Sequence, residues 1–149
     1  MREAVIVSTA RTPITKAHRG EFNLIAGPTL AAHAVRAAVD RSGIDPALIE
    51  DAILGCGYPE GATGRNIGRQ AVIRAGLPVS IGGATVNRYC ASGLQAIASA
   101  AARIVMDGAP AMIAGGVECV SHIRTRDDGV SGMDPVSYTH LTLPTNREV

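Results

Sequence analysis

The sequence predicts an α/β fold with a mainly parallel sheet. Three observations carry that expectation. Short aliphatic runs alternate with helical segments along the chain, the order expected of strands joined by crossover helices. The first run, Ala4-Val5-Ile6-Val7, is apolar without alternation, as in a strand covered on both faces. Apolar residues make up 46 % of the 149 residues but aromatics only 3 %, so the core is expected to be close-packed Ala, Val, Ile and Leu between layers.

Taken in order, residues 4–7 are the first expected strand, bounded by Ser8 and Thr9. Residues 10–28 form a long basic loop carrying Arg11, Lys16, His18 and Arg19. Loops beyond about 12 residues are uncommon in compact domains unless they serve a function, so this one is expected to pack near a site or a subunit contact. Thr29 is placed to cap a helix running to Ser42, with Leu30, Ala34, Ala38 and Val39 on one face. His33, Arg36, Asp40 and Arg41 fall on the other face, and Gly43 stops the helix. Asp45-Pro46 marks a short capped turn.

Residues 50–56 are the second strand, and residues 57–64 a glycine-rich loop. Asn66 opens a helix that Gly76 closes, with Pro78 just beyond. Residues 84–87 are the third strand. A helix over residues 93–107 follows, with Leu94, Ile97, Ala98, Ala101, Ile104 and Val105 at helical spacing and alanines on its other faces. A helix so apolar all round needs burial on more than one side. Residues 110–114 are a last strand, ending at Gly115-Gly116. Beyond Ile123 the text changes: a charged stretch gives way to a Thr-rich segment without periodicity. The expected division is a sheet-bearing part, residues 1–122, and a loop region with a non-native, disordered tail, residues 123–149.

Composition excludes several functions. A net charge of +1 and few aromatics argue against nucleic acid and acidic membrane partners. Three dispersed cysteines, Cys56, Cys90 and Cys119, make no disulfide framework, and no spacing of Cys or His fits a zinc site. The opening apolar run is too short for a signal peptide, and no apolar stretch has the length of a membrane span. The expectation is a soluble, cytoplasmic protein. Gly55-Cys56-Gly57 begins like a dinucleotide fingerprint, but Glu60 stands where its third glycine belongs, so the phosphate-cradle reading is weak.

Cys90 is the candidate site residue. It lies where a strand ends and a helix begins, next to Ala91, Ser92 and Gly93. Helix N-termini carry unsatisfied N–H groups and partial positive charge, and thiols placed there ionise more readily. The small residues are expected to let a substrate approach the sulfur. The alternative is a buried structural thiol, since cysteine is among the most buried residue types, and the local sequence leaves both open.

The residues around that cysteine resemble the thiolase family. The likeness is strongest over Val86-Asn87-Arg88-Tyr89-Cys90-Ala91-Ser92-Gly93-Leu94-Gln95-Ala96. Arg11-Thr12-Pro13, Pro59-Glu60-Gly61-Ala62-Thr63-Gly64, Asn66 to Gln70, Ala75-Gly76-Leu77-Pro78 and Ala114-Gly115-Gly116-Val117-Glu118 support it, in the family's order. Cys119 stands where the family usually has Ser.

The resemblance implies the N-terminal half of a layered α/β/α/β/α fold, incomplete here. It implies acyl transfer between CoA thioesters through a covalent acyl-cysteine on Cys90, with acyl-CoA as substrate, no metal and no separate cofactor. The Cys90 N–H is then a candidate oxyanion donor. The family's activating histidine, second cysteine and asparagine loop come from its second half, and no role passes to His18, His33, His122 or His140. A homo-oligomer, dimer or tetramer, is implied, with the stretch from Asn66 to Gln70 near a subunit contact. The chain is expected to be an N-terminal fragment, inactive alone. The alternatives are another condensing enzyme of the same superfamily or a non-enzymatic α/β binding module.

Overall fold

The computed structural model describes residues 2–122. The element order is α1 (Gly27–Ser42), β1 (Ile49–Gly55), α2 (Ile67–Arg74), β2 (Ala84–Val86), α3 (Ser92–Ala102) and β3 (Ala111–Gly116). The three strands form a parallel sheet in the order β2-β1-β3, so the first strand in sequence is the middle one in space. The α/β class and the parallel sheet are as expected.

β1 is central, and its composition says so. From Ala52 onward every residue is buried, and successive side chains feed opposite faces. Ala52, with Val35, Val39, Val72, Leu77 and Ile81, packs under α1 and α2. Leu54 and the following Cys56 join Ala31, Ile67 and Ala71 on the same side. Ile53 points the other way, to Ala96 and Ala100 of α3. Two helices thus cover one face and one helix the other.

Local signals explain the ends. Gly43 adopts φ 66° after α1, a left-handed stop. Asn66 caps α2, its side chain accepting from the Arg69 N–H at 3.0 Å, while its amide donates to the Gly83 carbonyl at 2.6 Å. Asp45 accepts the Ala47 N–H at 2.9 Å in the short turn before β1.

Several expectations change. Thr29 is not a cap: α1 starts at Gly27 with Pro28 in its first turn, where a missing N–H costs nothing. The buried stripe is Ala31, Ala32, Val35 and Val39, with Leu30, Ala34 and Ala38 half-buried. The strand expected over residues 4–7 does not form. Val5, Ile6 and Val7 are 70 %, 74 % and 60 % exposed and pair with no strand among the described residues, although β2 and β3 each have only β1 as a partner there. The helix after Cys90 ends in a π-turn over Arg103–Asp107. It is buried on one side only: Leu94 is 72 % and Met106 80 % exposed. The tail expected over residues 123–149 lies outside the described residues.

Candidate active site

Cys90 is exposed, whereas Cys56 and Cys119 are buried. It sits on the short turn that carries the chain from β2 into α3, one residue before the α3 N-cap, Ala91. The turn is strained. Tyr89, immediately before the cysteine, has φ 48°, a left-handed value that costs a non-glycine residue about 1–2 kcal/mol.

Hydrogen bonds hold it there. The Asn87 side chain accepts the Tyr89 N–H at 2.9 Å, an Asx-type turn. The Ser92 hydroxyl accepts the Arg88 N–H at 2.8 Å and donates to the Tyr89 carbonyl at 2.6 Å. That carbonyl also receives the Ser92 N–H at 3.0 Å, and the Arg88 carbonyl receives the Ala91 N–H at 3.0 Å. The Arg88 guanidinium donates to the Gln95 side chain one turn into α3. The backbone on both sides of Cys90 is thereby fixed to the start of one helix.

The helix start is in turn seated on the sheet by glycines. A Cβ on Gly55 of β1 would lie 2.3 Å from the Ser92 carbonyl carbon and 2.5 Å from the Gly93 nitrogen. A Cβ on Gly116 of β3 would lie 3.3 Å from the Gly93 Cα. Ser92 is buried. The small residues after Cys90 were expected to admit a substrate to the sulfur. Gly55 and Gly116 allow α3 to touch the strands, which fixes the height of the cysteine above the sheet edge, while a Cβ on Gly93 would meet only the Gly115 carbonyl oxygen, at 3.9 Å.

A second shelf adjoins the turn at the carboxyl ends of β1 and β3. Glu118, two residues past β3, accepts the Gly57 N–H at 2.7 Å and the Tyr58 N–H at 3.2 Å. Its other oxygen accepts from the Cys56 Sγ at 3.5 Å. The Gly57 carbonyl receives the Asn87 amide at 3.1 Å. A side chain at position 57 would press on Glu118 Oε2 at 3.0 Å and on the Tyr89 carbonyl oxygen at 3.4 Å. The glycine there serves close packing. Burial, then the Glu118 charge, pushes the Cys56 thiol up to about 11, so this sulfur stays protonated and inert near neutrality.

The long basic loop folds back onto the same end of the molecule. The His18 N–H donates to Ser121 Oγ at 2.9 Å, and Cys119 Sγ donates to the Ile25 carbonyl at 3.4 Å. A serine hydroxyl at position 119 could make the same bond. His33 is exposed on α1, and no hydrogen bond among the described residues joins the His18 or His33 side chain to the turn at Cys90. Among the described residues no cluster of His, Cys, Asp or Glu has the makings of a metal site.

Sequence reasoning singled out Cys90 as a candidate and missed the residues that hold its turn. Asn87 and Ser92 bond to backbone groups of the turn, and the Gly57 carbonyl receives the Asn87 amide. One signal was legible: an asparagine two residues before the strained position is the usual Asx-turn placement.

The model of the thiolase N-terminal domain matches residues 4–141. A 3-ketoacyl-CoA thiolase of Bacillus subtilis is 44 % identical over 123 residues, which is 83 % of this chain and 32 % of that protein. A 3-ketoacyl-CoA thiolase of Acinetobacter baumannii is 41 % identical over 145 residues, 97 % of this chain and 37 % of the relative. Among solved structures, the Bacillus anthracis acetyl-CoA acetyltransferase superposes with a TM-score of 0.76 at 35 % identity, covering 81 % of this chain and 30 % of that one. The chain spans about a third of the length of these relatives. With a family match over most of its length and the cysteine turn built on the matched strands and helix, the chain belongs to the thiolase family, in its N-terminal domain.

Proposed function

We propose that Cys90 is the acyl-accepting nucleophile of an enzyme that transfers acyl groups between CoA thioesters. The observation that carries this reading is the contrast among the cysteines. Only Cys90 is exposed, and it stands on a strained, hydrogen-bonded turn at the start of a helix. Family membership supports the reaction class, and the relatives' names, 3-ketoacyl-CoA thiolase and acetyl-CoA acetyltransferase, support the substrate class.

In the first step Cys90 Sγ gives up its proton and bonds to the acyl carbon of an acyl-CoA. CoA leaves as its thiol, taking a proton. In the second, a further acyl-CoA that has lost a proton from its α-carbon forms a carbon–carbon bond to the same acyl carbon, and Cys90 is released. Run backwards, CoA cleaves a 3-ketoacyl-CoA. This activity would place the whole protein in fatty-acid metabolism, in the cytoplasm, as a homo-dimer or tetramer. Among the described residues no helix is long and apolar enough to cross a membrane.

The 149-residue chain by itself is expected to be inactive, because the proton-handling groups of a thiolase lie in the second half of the fold. The test replaces the matching segment of the Bacillus subtilis relative with this chain's. The chimera should cleave a 3-ketoacyl-CoA, and its Cys90→Ala form should not. A folded chimera in which Cys90→Ala retains full activity would remove the reading, and thiolase-like turnover by the isolated chain would remove the claim of inactivity.

A further inference from the structure

We propose that Glu118 is a positioning residue for Cys90, acting through Gly57 and Asn87 rather than by contact with the sulfur. Four observations line up. The Glu118 carboxylate holds the N–H groups of Gly57 and Tyr58 and takes a bond from Cys56. Gly57, thus fixed, presents its carbonyl to the Asn87 amide. Asn87 in turn accepts the Tyr89 N–H and keeps that residue at φ 48°. Tyr89 is bonded covalently to Cys90. A continuous path of hydrogen bonds therefore runs from the end of β3, across the end of β1, to the residue that sets where the cysteine points.

Each link has a geometric reason. Gly57 is the place in the path where a side chain would crowd Glu118 Oε2, at 3.0 Å, with the Tyr89 carbonyl oxygen 3.4 Å away on the other side. A carboxylate suits position 118 because two oxygens must accept from three donors on consecutive residues, 56 to 58. Releasing the path lets Tyr89 relax toward ordinary φ, which turns Cys90 away from its exposed place at the start of α3 and changes how the sulfur meets a reagent.

The proposal rests on Cys90 being the reactive cysteine, but its test reads alkylation and not acyl transfer, so each can fail alone. The second-order rate of iodoacetamide modification is followed at Cys90 by mass spectrometry across the neutral pH range. Cys56, buried beside Glu118, reports in the same spectra whether the fold around it has opened. Glu118→Ala and Asn87→Ala should each slow Cys90 about fivefold, the scale of one net hydrogen bond. The double variant should be no slower than either single one, because both break the same path. Glu118→Gln, which keeps a carbonyl acceptor for Gly57 and Tyr58, should restore most of the rate. Cys56 should stay protected in all of them. An unchanged Cys90 rate in Glu118→Ala or in Asn87→Ala overturns the proposal, as do losses that multiply in the double variant. If Glu118→Ala exposes Cys56, Glu118→Gln and Asn87→Ala decide, and a wild-type rate in Asn87→Ala again overturns it.

Discussion

Gly55 lies directly beneath Ser92: a Cβ on the glycine would come within 2.4 Å of the serine carbonyl oxygen. The first turn of α3 rests on the bare backbone of the central strand, and backbone atoms cannot step aside as a flexible side chain can. Gly55→Ala should therefore push the helix start off the sheet. Overpacking of this kind costs about 1–3 kcal/mol. Urea unfolding should show a lower midpoint with an unchanged slope.

Ser92→Ala should cost about 1–2 kcal/mol, because it leaves the Arg88 N–H without its acceptor and removes a donor from the Tyr89 carbonyl. The volume change is small, so unfolding free energy, measured with denaturant, reads the lost bonds.

Tyr89 offers a test of strain. Its side chain is 51 % exposed, so little packing is lost by removing it. Tyr89→Gly should hold its stability, while Tyr89→Val, with a branched Cβ at φ 48°, should lose about 1–2 kcal/mol more than Tyr89→Gly. Parallel thermal melts of the two variants measure the difference.

Cys56 predicts an alkaline limb in stability. Its ordinary thiol value of 9.0 is raised to about 11 in the fold. Below the first value both folded and unfolded chains hold the proton, and nothing is lost. Between the two the unfolded chain releases it first, so stability falls as pH rises, by about 2–3 kcal/mol in all. Cys56→Ala should flatten that limb in denaturation curves taken on either side of pH ~9.

Cys90→Ala should leave stability within about 0.5 kcal/mol of the parent, since an exposed side chain away from the core contributes little. The same substitution should abolish the fast phase of thiol modification at neutral pH, which leaves only the slow buried cysteines to react.

The alternation of strands and helices was legible because each element is punctuated locally: Gly43, Asn66 and Gly76 mark their ends by their own chemistry. The position of Cys90 was legible for the same reason. The fate of Ala4-Val5-Ile6-Val7 was not, because β-propensity says that a run can pair and does not name its neighbour. Nor was Glu118 legible as a support of the cysteine. It stands far from Cys90 in the sequence, and only the β1–β3 ladder brings it to Gly57.

The sheet order also dictates a timetable. Ile53 must find Ala84 on one side and Ala114 on the other, so both ladders of the middle strand are long-range. Parallel pairings of this span fold slowly, because the loop must close before any contact rewards it. At synthesis speeds of about 5–20 residues per second, β1 leaves the ribosome seconds before β3 exists. Through that interval the most deeply buried strand of the sheet has at least one open edge. The central place that makes β1 a firm floor for the cysteine turn also leaves it unfinished until β3 arrives, and makes it the segment most in need of a chaperone while the chain is being made.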